Sequence, residues 1–317
     1  MNVATGRQWM VTHEWMVQPM RQLEWISRKG LLVWLAEVFS ALGMGLYIVA
    51  LFVDHWWAAL IGWALIVVFK LPLHFLYLGK PWRFWRAIPP FTKSWKTSWF
   101  ARGMFFSIVF VAFGAVQLVT TYLLQHDVVT GSGADAVTVI DWIARIVAGV
   151  FVVMVGVYCG FAMSYCKSVP FWNTGLLPIV FVIMGVADGL ALLMGISLVT
   201  GDVNLEALES VSRIALIINA MLIFAYLLNA RYQSTTAGLS VRDLTVGRTA
   251  PVFWMGIVVL GITVPLAISI ASVFTGEATS PLLIAAVICH TIGAFSLKYA
   301  VLRVGIYRPI LPKVAVF

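Results

Sequence analysis

The sequence predicts an all-α integral membrane protein of eight transmembrane helices arranged as two four-helix bundles. Three observations carry this. Of 317 residues, 62% are hydrophobic and only 11% charged, against roughly 25% charged in a soluble domain. Too little polar surface remains to cover the chain in water, so lipid must be its solvent. Eight apolar runs are each long enough to cross a bilayer, which takes about 20 residues. The 14 Trp residues suit the headgroup level, where indole rings concentrate.

In order, the runs cover residues 31–53, 57–78, 103–124, 142–164, 176–199, 210–230, 251–273 and 281–303, bounded by charges or by Pro and Gly clusters. Residues 1–30 precede them as a leader in which Trp9, Trp15, Met16, Met20 and Trp25 stand among charges such as Glu14 and Glu24. A cleavable signal peptide is short, basic and followed at once by its apolar core. The leader therefore reads as a cytoplasmic interfacial segment, with a plain flexible tail as the alternative. The stretch 164–175, containing Lys167, Pro170 and Asn173, divides a first bundle (31–168) from a second (169–317). Small residues four apart, Gly156/Gly160 and Gly185/Gly189, mark close helix contacts, because packing joins helices in lipid. No connection is long enough to fold as a catalytic domain, so any chemistry lies within the helices or is shared with other proteins. Cys159, Cys166 and Cys289 are too few and too deep for a disulfide framework or a zinc site.

An even number of spans puts both termini on one face. That face collects 17 of the 21 Lys and Arg residues. They are Arg7, Arg21, Arg28 and Lys29 in the leader, Lys80, Arg83, Arg86, Lys93, Lys96 and Arg102 after the second run, and Lys167, Arg231, Arg242, Arg248, Arg303, Arg308 and Lys313 beyond. The other face has Arg145 and Arg213 among Asp54, Asp127, Asp135, Asp141, Asp202, Glu206, Glu209 and Glu277. Basic loops stay in the cytoplasm. The expectation is a multi-pass protein of a prokaryotic inner (cytoplasmic) membrane with both termini cytoplasmic. The net charge of +8 is then a topology signal. No basic domain outside the membrane exists to bind nucleic acid.

The most distinctive stretch is the basic loop 79–102. It holds Leu78-Gly79-Lys80-Pro81-Trp82-Arg83-Phe84-Trp85-Arg86-Ala87, then Thr97-Ser98-Trp99-Phe100-Ala101-Arg102-Gly103. Cations interleaved with aromatics suit either anionic lipid headgroups or an acidic partner protein. Both runs, in this order and place, resemble the NrfD/PsrC family, the membrane subunits of polysulfide reductase-like molybdopterin oxidoreductases. The eight spans and the overall length agree with it. Where the family often has Asp or His just before Leu-Gly, this sequence has Tyr77, with His74 one turn earlier.

The resemblance implies a membrane anchor that passes electrons between the quinone pool and an iron–sulfur subunit, which serves a molybdenum-pterin catalytic subunit. Iron–sulfur clusters and molybdenum-pterin would reside only on those partners. This protein would bind a quinone, ubiquinone or menaquinone, in its first four helices, and Lys80, Arg83, Arg86 and Arg102 would belong to the docking face. Many family members work with partners exported across the membrane, whereas the charge asymmetry here places the docking loop and its partners in the cytoplasm.

Ionisable groups inside spans are costly and mark function by default. Glu37 stands about six residues inside the first run, or ~9 Å. His74 is ~6 Å and Tyr158 ~9 Å from the same face by the same rise. Tyr165 lies near the boundary and Ser107 enters from the third run. Oxidation of a quinol releases two protons, so bases must reach its oxygens. Imidazole titrates near neutral pH, and removal from water disfavours charge on a carboxylate. The expected set has His74 on one quinone oxygen, Glu37 relaying the proton, and Tyr158 or Tyr165 on the other oxygen. Plainer readings stand beside it: Glu37 paired with Lys70, one turn from His74, and the tyrosines as packing.

In the second set, Asp188, Asn219 and His290 fall near mid-membrane. They read either as a proton path or as a buried hydrogen-bonded cluster. Lys298, near a helix end, is expected to snorkel. Two other functions compete. A secondary transporter would use Asp188 and His290, but needs broken helices and often inverted repeats. A haem anchor needs two axial His at matching depth, whereas His74 is near one surface, His290 is central, and His13, His55 and His126 lie outside the spans. No haem and no metal site is expected.

Overall fold

Long apolar runs separated by short polar connections become helices because, in lipid, every backbone N–H and C=O must be satisfied within its own segment. The computed structural model describes residues 18–87, 92–201, 203–275 and 280–310. Within them, eight helices are long and apolar enough to span a membrane: α1 (Gly30–Phe52), α2 (Trp56–Tyr77), α3 (Trp99–Gln125), α4 (Ser132–Ser164), α5 (Leu176–Thr200), α6 (Leu205–Gln233), α7 (Val252–Thr275) and α8 (Ser280–Arg303). The expected all-α membrane fold is thus found. α4 starts ten residues before its apolar run, with Asp135 in its first turn, where a carboxylate favours the positive end of the helix dipole. α3 starts at the Thr-Ser-Trp motif because the Ser98 hydroxyl accepts the Ala101 N–H at 3.4 Å, an N-cap.

Two spans leave α geometry. Residues Leu65–Lys70 of α2 and Val252–Thr263 of α7 are π-helical. Such turns shift the register of the side chains that follow and are frequent at functional sites. The first ends at Lys70, one turn before His74.

α1 is the hub, packed against α2, α4, α5 and α8. Its crossing with α5 is backbone on backbone: a Cβ on Gly45 would collide with the Gly185 carbonyl, and one on Gly189 with Gly45. The small residues read from the sequence all make such approaches. A Cβ on Gly156 would lie 2.7 Å from Met44 Cγ, and one on Gly160 2.7 Å from Pro178 Cα. The α1–α5 seam therefore joins the first four helices to the last four.

Polar ties close both ends. On the face of the termini, β1 (Met20–Arg21) pairs antiparallel with β2 (Ile306–Tyr307). The Gln22 side-chain amide donates to the Leu302 carbonyl, Arg21 meets Asp243 at 2.7 Å, and Trp25 packs on Trp172. The described part of the leader is thus fastened to the protein. On the other face, Arg145 binds Asp54 and, at 2.7 Å, Asp141. Asp141 accepts from Thr120 and Thr121, and Gln117 links Thr121 to Tyr47, which ties α1, α3 and α4. Of the residues singled out above, Arg7, Trp9, His13, Glu14, Trp15, Met16, Asp202, Glu277 and Lys313 lie outside the described residues.

Candidate functional site

Four helices bring titratable side chains to one place near the face of the termini. α1 contributes Glu37, α2 Lys70 and His74, α3 Ser107, and α4 Tyr158; none is more than 5% exposed. His74 Nε2 is the centre. It lies 2.7 Å from the Tyr158 hydroxyl and 3.9 Å from Glu37 Oε1. Neither Glu37 oxygen has a hydrogen-bond partner of good geometry. The Cys159 thiol, Lys298 and Lys70 are the other groups that act on it.

The ion pair of Glu37 with Lys70 is not formed. Lys70 Nζ instead donates to Ser107 Oγ at 2.5 Å, and Ser107 passes the bond on to the Gly103 carbonyl at 2.8 Å. The same ammonium sits 5.1 Å from the centre of the Tyr158 ring, a cation–π contact. Ser107 therefore serves as the partner of a buried cation.

The Thr-Ser-Trp-x-x-Arg-Gly run acquires a physical reading here. Ser98 caps α3. Trp99 stacks on Phe161 with centroids 4.7 Å apart, and its buried Nε1 has no partner. Gly103 leaves the space that the Tyr158 ring fills, since a Cβ there would lie 2.6 Å from Tyr158 Cε2. Phe100 lies nearly parallel to the His74 ring at 6.1 Å.

Three expectations need correction. Tyr165 does not reach the cluster: it follows the end of α4, is 69% exposed, and packs edgewise on Trp99. Arg102 is only partly a docking cation, because its guanidinium donates to the Trp95 and Lys96 carbonyls at 3.0 and 2.8 Å and lies over Trp99; it holds the loop closed. Lys298 does not snorkel. It is 2% exposed, with Nζ 3.2 Å from the centre of the Phe181 ring, because α8 turns that face toward α1 and α5 and not toward lipid. By contrast Lys80, Arg83 and Arg86 are exposed around the 3₁₀ turn Pro81–Ala87, beside the exposed Trp82 and Trp85.

Lys298, Cys159 and Trp99 escaped sequence reasoning as site residues. Lys298 carried a usable signal. It is an in-span lysine two turns beyond His290 on the same helix, and in-span charge marks function. Its direction could not be read without the packing of α8.

In the second set, His290 Nε2 stands 2.9 Å from Asp188 Oδ1, and His290 Nδ1 lies 3.1 Å from the Gly261 carbonyl in the π-helical part of α7. Asn219 does not bond to this pair; it meets His290 across a small cavity that both line.

With this geometry in place, sequence comparisons become informative. A family model described as Polysulphide reductase, NrfD, matches residues 56–309. The sequence is 28% identical over 167 residues to the membrane-subunit relative named as the C component of polysulfide reductase in Wolinella succinogenes, with 51% of this protein and 53% of that one covered. It is 25% identical over 256 residues to a protein NrfD homolog of Haemophilus influenzae, with 74% and 77% covered. The match thus spans about half the length of the Wolinella relative.

Proposed function

The protein belongs to the NrfD family of polysulphide reductases, and from that premise we propose that it is the quinone-reactive membrane subunit of a multi-subunit oxidoreductase. The observation that carries this reading is the buried line Tyr158–His74–Glu37, with 2.7 and 3.9 Å separations at one imidazole nitrogen. A bound quinone or quinol would supply two-electron, two-proton redox chemistry. The residues suit such a head group: aromatic walls from Phe100 and Trp99, an indole N–H without a partner, and a carboxyl group whose oxygens are unclaimed. Tyr158 and His74 orient the oxygen they face, and His74 hands its proton to Glu37. Lys70, held by Ser107, keeps a positive charge beside these groups without joining the relay.

The exposed cations of the loop after α2 are the docking surface for an iron–sulfur protein in this reading, with a molybdopterin catalytic subunit beyond it. The Wolinella relative is by name one component of a polysulfide reductase, which supports a shared assembly. The charge asymmetry supports an inner-membrane location with both termini, and this docking face, in the cytoplasm.

A photoreactive quinone tests the site directly. Crosslinks are expected on α2 or α4 around His74 and Tyr158, and competition by unlabelled quinone should remove them. Labelling confined to other helices would reject the assignment.

A further inference from the structure

The second set of helices contains buried titratable groups that the proposed quinone reaction does not use. α5, α6, α7 and α8 enclose a cavity of about 30 Å³. That volume holds roughly two water molecules and is far too small for an organic solute. Glu209, Ser212, Arg213, Ser269 and His290 line it with polar groups. Its mouth lies on the face opposite the termini. There Arg213 bonds Ser269 at 2.9 Å and stands 3.7 Å from Glu209, which also accepts from Ser272. Its inner wall is His290, ten residues into α8, or ~15 Å at the helical rise. The cavity thus runs from an acidic surface group to mid-membrane.

The pair at its inner end must hold a proton. A carbonyl only accepts, so the 3.1 Å contact with Gly261 fixes hydrogen on His290 Nδ1. Nε2 then faces a carboxylate oxygen at 2.9 Å. Two lone pairs do not approach that closely without a proton between them, whether it belongs to nitrogen or oxygen. Beyond His290, a second cavity of about 10 Å³ opens toward Asn219 and Leu297, with room for about one water. Next along α8 comes the buried Lys298, whose ammonium makes no hydrogen bond and interacts electrostatically with both Glu37 and Asp188. It belongs to both clusters.

We propose that protons of the reaction at Glu37 exchange with the face opposite the termini through Lys298, the Asp188–His290 pair and the cavity ending at Glu209. This rests on the quinone reading of the first four helices. Only protons move. Each proton released to Glu37 passes to Lys298 and then to the pair, which in turn releases one to the cavity, and the sequence runs backwards for quinone reduction. Electrons leave by the docking face, so each turnover separates charge across the membrane.

The test uses the complete complex in sealed vesicles of known orientation, driven by quinol, with pH dyes on each side. Protons are expected on the face opposite the termini. His290→Gln and Asp188→Asn should each lower both that proton release and turnover at least tenfold, while quinone binding is unchanged. If either variant fails to assemble, Glu209→Gln at the mouth is read by the same dyes, with the same loss expected. Release from the unaltered complex on the face of the termini, or undiminished release from His290→Gln, would overturn the proposal. A complex that neither binds nor oxidises quinol gives a distinguishable result: it removes the quinone reading itself, and the proton source with it.

Discussion

Tyr158 and His74 meet at 2.7 Å across the packed faces of α4 and α2, and the same imidazole nitrogen faces Glu37 of α1 at 3.9 Å. One ring therefore links a phenol on one helix to a carboxyl group on another. Replacing the middle member should be the most damaging change. His74→Gln is expected to lower quinol turnover of the complex ~10²-fold or more, the usual contribution of a positioned acid–base group. Glu37→Gln should do the same, and Tyr158→Phe should cost less, about tenfold, because it removes one hydrogen bond. Quinone affinity should change little in Glu37→Gln. Full turnover after loss of both His74 and Glu37 would remove the relay.

The Lys70–Ser107 bond makes a stability prediction. Ser107→Ala leaves a buried ammonium without its acceptor, at a cost of about 1–3 kcal/mol, and should lower the unfolding temperature in detergent by several degrees. Ser107→Thr keeps the hydroxyl and should recover much of that loss. No difference between the two variants would mean that Lys70 finds another partner.

Gly45 should tolerate no side chain. Gly45→Val would drive α1 from α5, since the Gly185 carbonyl occupies the space of its Cβ, and little folded protein is expected in size-exclusion profiles. Gly79→Ala is the control, because nothing lies within 4 Å of a Cβ there. Similar yields of both variants would contradict the α1–α5 crossing.

Charge reversal separates the two kinds of cation in the loop after α2. Arg83→Glu with Arg86→Glu should weaken binding of an acidic partner, and more so at low ionic strength, where screening is least. Arg102→Ala should instead loosen the loop, visible as faster hydrogen exchange at the backbone of residues 92–98. Salt-independent binding in the double reversal would exclude electrostatic docking.

The clasp between leader and C-terminal segment should be pH-sensitive only in acid. Backbone hydrogen bonds, helped by the Tyr307 hydroxyl, hold the Glu24 carboxyl below its usual range. Burial first, then the Glu24 charge, pushes Tyr307 up to about 12. A lowered carboxyl value adds stability above the unfolded value near 4.3, lost as pH falls through the folded one; a raised phenol adds stability lost only above about 12. Hydrogen exchange at Gln22, whose N–H bonds Gly305 at 3.0 Å, should therefore show constant protection from pH 6 to 9 and weaken in acid. Opening between pH 6 and 9 would contradict this account.

How much was readable in advance differs from residue to residue. Glu37, His74 and Tyr158 were legible because each is a polar group at similar depth in an apolar run, and depth follows from counting along a helix. Tyr165 has the same chemistry one heptad later, but it falls past the end of α4, where the backbone turns and the ring swings outward. Arg102 looked like its neighbours, yet only the fold of the loop turns its guanidinium onto carbonyl oxygens.

Composition and spacing alone determined that this protein lives in lipid, how many times it crosses, and which side holds its cations. Those properties depend on one-dimensional quantities: the length of apolar runs and the positions of charges between them. Partnership was decided only in three dimensions. That Lys70 meets Ser107 and not Glu37, and that Lys298 turns inward to stand between Glu37 and Asp188, depends on helix rotation. Rotation is set by glycine-sized contacts such as Gly45 with Gly185 and by the π turns of α2 and α7, and neither leaves a mark in the hydropathy of the sequence.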